Sequence, residues 1–546
     1  MSQEPQQLAP LPRQDPDHRK VEPPLATAAW LSSDMVLEAI ALDGEEKLLS
    51  PVVLGQLWDG DQNRLFRADD DRHLVTIAGS RAGKGRGLII PNLLSYPGSV
   101  LCIDPKGENA AVTARYRRDT LGQTVVILDP FGVLAGRPDL ADCRGSFNPF
   151  EWVREGHVET IDDVSALADA LVIRDNNRDP HWNETARAVL KGVMLLAMVL
   201  ASKYQQDDRT GEVVGVNWQL SAIRHMASVG LPMPGKPEAG DSLAGLITLM
   251  KACEAFDGAI AAAGHLLDQM GENERGGVLS TLRRHIEFLE SPALNAALAS
   301  SSFDPGTIAN QPTTVYLVLP EWRMGTHARW LRVVITSLLQ SLQQTRRAPN
   351  QPATLFILDE FATLGHMESI ERAAGYIAGF GVKLWVILQD LNQLKSLYET
   401  RWETFLGNAG TLTAFGNADV TTLEYLSKRL GETEVIRTMQ NTSYQQGQGE
   451  TRGGVGHLVD AFTRGRVGAA LVGHDSDSSQ SSYGVSAQTS LQKTALITPD
   501  EIARHFSREE ETVLVHLAGA HPFRLNRIRY DLDEPFRSRA APSPYH

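Results

Sequence analysis

Short runs of β-branched and other apolar residues recur along this chain. They lie at 74–78 (LVTIA), 100–104 (VLCID) and 124–128 (TVVIL), and again at 314–319, 354–358, 383–388, 411–415 and 512–517. Each run is continuous rather than alternating, the pattern of strands covered on both faces. Helical or turn-rich segments separate them, which predicts an α/β fold with a mainly parallel sheet. Ahead of the first run, GQLWDGDQNRLFRA predicts a β-hairpin turning at Asp59–Gly60. Between 155 and 305 the strand pattern vanishes. A helix from about Trp182 to Lys203 is apolar nearly all round, as the buried centre of a helical subdomain would be. Helical patterns also surround LAGLITLMKACEAF and GGVLSTLRRHIEFLE. We therefore read 155–305 as an all-α domain inserted into an α/β domain made of 26–154 and 306–535. Residues 1–25, rich in Pro, Gln and charge, read as a disordered tail. The Ser-, Gln- and Gly-rich stretch 440–490 reads as a flexible loop with a short helical piece near HLVDAF, and 536–546 as a closing tail.

Composition narrows the class. Of 546 residues, 42% are apolar and 22% charged, so a disordered, collagen-like or fibrous chain is excluded. Cys102, Cys143 and Cys253 lack the spacing of a disulfide framework or a zinc site and read as buried, reduced thiols. The longest apolar run, 193–201, is about half of what crosses a bilayer, and the polar, proline-rich start is not a signal peptide. A soluble, cytoplasmic protein is expected. The formal charge of −14 argues against coating nucleic acid through bulk charge, but leaves room for a local basic channel. Candidate clusters for such a channel are Arg115, Arg117 and Arg118; Arg283 and Arg284; and Arg323, Arg329 and Arg332. Each also fits a solvated helix face.

The chemistry concentrates in HLVTIAGSRAGKGRGLIIPNLL, where a strand runs into a glycine-rich turn, a lysine and a helix. That context suits a phosphate-binding loop: glycines let backbone N–H groups curl round a phosphate, the lysine brings charge, and the helix N-terminus adds its dipole. The candidate residues are Gly79, Ser80, Arg81, Ala82, Gly83, Lys84, Gly85 and Arg86. The pattern G-x-x-x-x-G-K-[ST] departs at both ends, at Ala78 and at Gly85, and Gly85 offers no hydroxyl to a Mg²⁺ ion. A glycine-rich βα turn without ligand is the competing reading. The segment LFILDE ends a strand in Asp359, suited to holding Mg²⁺, and Glu360, suited to polarising water. Gln389 ends the next strand and fits a γ-phosphate sensor or a helix cap. Asp104 ends the strand at 100–104; it is a second candidate for the metal, or a cap.

AGSRAGKGRGLIIPNLLSYPGSVLCIDPKGENA resembles the opening of the TraG/TraD-type coupling proteins of type IV secretion and conjugation, within the FtsK/HerA group of hexameric P-loop motors. SFNPF, HWNETARAVLKGVMLLAM, LFILDEFATLGHM, YIAGFGVKLWVILQDLNQL and TALITPDEI agree in the same order, over about residues 45–530. The resemblance implies a RecA/FtsK-like P-loop ATPase with ATP and Mg²⁺ as cofactors. Lys84 would bind the β/γ-phosphates, Asp359 would hold Mg²⁺, Glu360 would activate water and Gln389 would act as sensor. It also implies a homohexamer, single- or double-stranded DNA, and relaxosome or effector proteins as partners, with the helical domain recognising substrates. Such proteins usually carry transmembrane helices, so this chain would reach the inner membrane only through a partner. Some relatives place an arginine finger where this chain has Ala378; Arg372, Lys383 and Arg401 are the nearby substitutes. A non-catalytic recruitment scaffold, and a soluble DNA translocase outside secretion, are the rival functions.

Overall fold

The computed structural model describes residues 28–43, 48–173, 181–203, 219–233, 236–447 and 480–545. In chain order its strands are β1 Val52–Trp58, β2 Asn63–Ala68, β3 His73–Ala78, β4 Val100–Asp104, β5 Thr124–Leu128, β6 Leu231–Met233 and β7 Lys236–Ser242. There follow β8 Thr313–Val318, β9 Thr354–Leu358, β10 Val382–Leu388, β11 Ala409–Phe415, β12 Glu432–Gly447, β13 Gln480–Ala495, β14 Thr512–Leu517 and β15 Phe523–Asn526.

Eleven of these form one sheet in the order β2-β1-β15-β14-β11-β3-β10-β9-β4-β8-β5. The seven from β11 to β5 are parallel. They are buried along nearly their whole length because helices cover both faces, which is why their sequences read as unbroken apolar runs. The 512–517 run breaks the expected direction: β14 lies antiparallel to β11, and β15, β1 and β2 continue antiparallel from it. Two facts make this possible. Tight connections join β14 to β15 and β1 to β2, and hairpin turns reverse direction where βα crossovers cannot. The buried centre of the sheet is not wholly apolar. Thr76 and Thr413 share a hydrogen bond of 2.7 Å, and Trp385 Nε1 donates to Thr76 at 2.8 Å, so these three buried side chains partner one another.

Among the described residues between β5 and β8, the regular structure is helical apart from the small antiparallel ribbon of β6 and β7 that the apolar pattern did not signal. The helix His181–Lys203 buries Val189, Leu190, Val193, Met194 and Leu195. It lies against the helices Ala259–Gln269 and Glu272–Ile286. Gly192 permits that approach: a Cβ there would stand 2.4 Å from the Ala263 methyl.

Residues 431–496 belong to a second compact unit, whose described part is the antiparallel pair β12–β13, running from Glu432 opposite Ala495 to Gly447 opposite Gln480. The stretch read as a loop over 440–490 is therefore strand at both ends. HLVDAF and residues 1–25 lie outside the described residues. The expected tail 536–546 is instead packed in its first half: Phe536 is fully buried, and Ala541 N–H donates to Val112 C=O. Cys102 and Cys143 are buried; Cys253 is only partly so.

Candidate active site

The glycine loop leaves β3 after Ala78 and enters the helical segment beginning at Gly85, whose first turn is wide before it tightens over Ile90–Leu93. Leu88, Ile89, Ile90 and Leu93 are buried, each burial stabilising by about 1.5–3 kcal/mol. They hold the helix against the sheet and aim its N-terminus at the carboxyl ends of the strands. Arg81 and Gly83 carry φ of 57° and 89°, and these left-handed residues curl the chain into a concave turn. The amides of Gly83, Lys84, Gly85 and Arg86 precede or open the helix and so have no partner within it. Two glycines set the loop's depth. A Cβ on Gly79 would fall 1.9 Å from the Gly416 carbonyl, and a Cβ on Gly416 would fall 2.5 Å from the Ala82 methyl. Ala78, where the common pattern has glycine, simply continues the strand pairing with Phe415.

β3, β10 and β9 are consecutive in the sheet, and their ends bring Lys84, Gln389, Asp359 and Glu360 together. Lys84 Nζ lies 3.0 Å from Asp359 Oδ1 and donates to Glu360 Oε1. Gln389 Nε2 donates to the other oxygen, Glu360 Oε2, at 2.9 Å. The side chains of Lys84, Asp359 and Glu360 are 16%, 10% and 20% exposed, so all three are mostly, not wholly, withdrawn from water. Burial works against the Lys84 ammonium, but Asp359 and Glu360 outweigh it and hold its pKa above the ordinary value. Burial pushes the Asp359 carboxyl up, Lys84 opposing. Glu360 sits at φ 52°, a strained position for a side-chain-bearing residue, and its N–H donates to Asp359 Oδ1 at 3.0 Å. This local turn sends the two adjacent carboxylates to the same side of the strand end.

Asp104 stands one strand beyond Asp359, since Cys102 pairs with Ile357. Its Oδ2 accepts the Ala110 N–H at 2.9 Å, so it caps the helix Glu108–Asp119. Burial, with Asp359 adding, pushes its pKa up to about 7. Ser80 and Arg81 are exposed. Arg86 does not offer its side chain to the loop: its guanidinium grips Asp531 in a two-toothed pair at 2.6 and 2.8 Å.

Several sequence candidates prove to be structural. Lys383 is buried and donates to the Ser50 carbonyl at 3.2 Å, which removes it as a finger. Arg372 and Arg401 are exposed and paired with Glu368 and Glu371. Arg117 is fully buried, donating to Thr314, Gln123 and the carbonyls of Leu93 and Gly98. Arg332 is likewise buried and binds the carbonyls of Ala170, Leu364 and His366. Neither can face a DNA channel. Sequence reasoning missed Arg527, whose Nη1 donates to the Ala82 carbonyl inside the loop.

Parallel strands, a glycine loop before a helix, and an acidic pair two strands away define the P-loop nucleotide-hydrolase class. The family described as Type IV secretory system Conjugative DNA transfer matches residues 24–454, and the chain belongs to it. It is 27% identical over 517 residues to the conjugal transfer protein TraG of Escherichia coli, covering 90% of this chain and 72% of that one. It is 26% identical to the protein VirD4 of Rhizobium rhizogenes, covering 94% and 66%. The conjugative coupling protein TrwBdeltaN70 superposes with a TM-score of 0.61 at 15% identity over 91% of each chain. TrwB in complex with ADP and Mg²⁺ gives 0.60 at 14% identity, covering 92% and 94%. At that identity the likeness is one of fold. Among the described residues no helix is long and apolar enough to cross a membrane, and no group of three or more His, Cys, Asp or Glu side chains could hold a metal by itself.

Proposed function

We propose that this chain is an ATP-hydrolysing coupling protein, which recruits DNA or protein substrates and drives them into a type IV secretion or conjugation channel. The observation that carries the reading is the linked set Lys84–Glu360–Gln389 with Asp359, assembled from three adjacent strand ends below an open loop. A structural βα turn has no use for a partly exposed lysine held between two carboxylates.

The residues fit ATP with Mg²⁺. The amides of 83–86 and Lys84 would hold the phosphates, and Asp359 would hold the ion, with Gly85 leaving its inner ligand sphere one hydroxyl short. Bound Mg²⁺ would neutralise charge developing on the phosphoryl oxygens. Lys84 now serves Asp359 and Glu360; swinging to a phosphate frees both acids. Glu360 Oε1 then accepts the proton of an attacking water while Gln389 holds Oε2 and fixes the carboxylate plane. The helical insert supplies a substrate-recognising surface. It touches the site's frame through Arg332, which joins the Ala170 carbonyl of the insert's first helix to the Leu364 carbonyl just after the acidic pair. Assembly as a homohexamer and attachment to the membrane through a partner belong to the same proposal.

Steady-state ATP turnover with and without single-stranded DNA, run beside a solution mass measurement, tests this. Turnover and a nucleotide- or DNA-dependent shift towards a hexamer are expected. Nucleotide binding without turnover under any condition would leave a recruitment scaffold, and a strict monomer throughout would count against a ring motor.

A further inference from the structure

The loop is shaped by more than its own glycines. Arg527, just after β15, lies beside it from the antiparallel side of the sheet and is nine-tenths buried. One arm of the guanidinium donates to the Ala82 carbonyl, and the other donates to the Arg508 carbonyl at 2.5 Å. The plane lies over the Phe415 ring, 5.1 Å from its centre. A Cβ on Gly83 would stand 3.4 Å from Nη1, so the arginine fits against a glycine edge. The segment that follows is fastened to the same loop and helix. Asp531 grips Arg86, and the Ile528 carbonyl lies within 3.3 Å of where a Gly87 Cβ would be. Among the described residues no carboxylate comes close enough to bond Arg527, so a buried cation is spent on two carbonyls.

The Ala82–Gly83 peptide is planar and trans, so its carbonyl and its N–H point in opposite directions. Fixing the carbonyl on Arg527 therefore fixes the Gly83 N–H on the side away from the guanidinium. We propose that Arg527 is a positioning residue for nucleotide: it sets the Ala82–Gly83 peptide plane so that the loop presents its amides to phosphate before any ligand arrives. This rests on the reading of the loop as an ATP site. Arg527 itself touches no reacting atom. Its contribution is preorganisation, which saves the ordering cost that a free loop would meet on binding.

The test is equilibrium binding of a non-hydrolysable ATP analogue to the full chain, for wild type, R527M, R527K and K84A. Methionine keeps the stem against Phe415 and removes both donors. A charged hydrogen bond of this kind is worth about a ten- to hundredfold change in affinity. R527M is therefore expected to bind about 10–100 times more weakly, R527K to recover part of the loss, and the ligand-free melting temperature of R527K to stay close to wild type. In turnover, the KM for ATP should rise by more than kcat falls. R527M at wild-type affinity overturns the proposal, as does an equal fall in kcat and affinity in both variants. Should R527M fail to fold, R527K decides: wild-type affinity and KM overturn it, a several-fold loss supports it. If wild type and K84A both fail to bind, the ATP reading itself is what fails. If wild type binds and K84A does not, that reading stands, and the affinities of the Arg527 variants alone decide the role of Arg527.

Discussion

Lys84→Met exposes the electrostatics of the site without nucleotide. The substitution keeps the aliphatic stem but removes the ammonium shared by Asp359 and Glu360. Asp359 is buried, and burial already pushes its carboxyl up. Without Lys84 it must either stay charged and uncompensated or take up a proton. At neutral pH, protonating a carboxyl of ordinary pKa costs about 4 kcal/mol, which caps the loss. Removing one partner of a buried pair commonly costs about 3–5 kcal/mol, so the two routes are comparable. The cap shrinks by about 1.4 kcal/mol for each pH unit of acidification, to about 1.5 kcal/mol near pH 5. The sign follows from linkage: in the variant the folded Asp359 pKa lies further above its unfolded value, so the penalty is absent below about pH 4 and grows as pH rises towards the folded pKa. Urea titrations of wild type and K84M between about pH 5 and pH 8, followed by tryptophan fluorescence, read the difference in midpoint. The expected deficit is largest at neutral pH and much smaller near pH 5. An equal deficit at both ends, or none at neutral pH, would refute the view that Lys84 neutralises a buried acid pair in the ligand-free site.

Arg117→Met should cost about 3–5 kcal/mol by taking the charged donors from the carbonyls of Leu93 and Gly98, although Gln123 and Thr314 keep their bond to each other, seen as a lowered melting temperature, while the DNA affinity of the protein still folded stays at wild type in an anisotropy titration. Gln389→Ala should release Glu360 and lower kcat for ATP by about 10–100-fold with nucleotide affinity nearly kept, as initial-rate kinetics beside binding would report. Burial holds His73 neutral, with its pKa lowered from 6.5 to about 4. The unfolded chain takes up that proton first, so this contribution, worth about 3 kcal/mol, is present above pH 6.5 and lost as pH falls to about 4. A His73→Gln variant should flatten that part of the acid unfolding curve.

The parallel strands were legible because burial on both faces forces continuous apolar runs, and the cluster residues were legible because each closes such a run: Lys84 follows β3, Asp359 and Glu360 follow β9, and Gln389 follows β10. Strand order was not written in the runs themselves. Nothing in TVLVHL says that β14 runs antiparallel beside β11, yet that placement carries Arg527 and Asp531 to the loop across some 445 residues of chain. Buried arginines were invisible for a related reason. Arg117 stands in RYRR, a run that reads as a solvated face, but beside Thr314 and Gln123 its partners are main-chain carbonyls, among them those of Leu93 and Tyr96, and carbonyls leave no mark in a sequence. Phe536, an isolated apolar residue among charged neighbours, has no periodicity to announce its burial.

Hydrolysis at this cluster stands or falls with the Glu360 carboxylate, which Glu360→Gln removes. The amide keeps the size and can still meet Gln389, but cannot accept a proton from water. ATP turnover and analogue binding, measured together on the assembled protein with single-stranded DNA, should show kcat reduced by about 100-fold or more with binding retained. Turnover unchanged in E360Q, or absent from the wild type while nucleotide is bound, would rule out Glu360 as the base of an ATPase site.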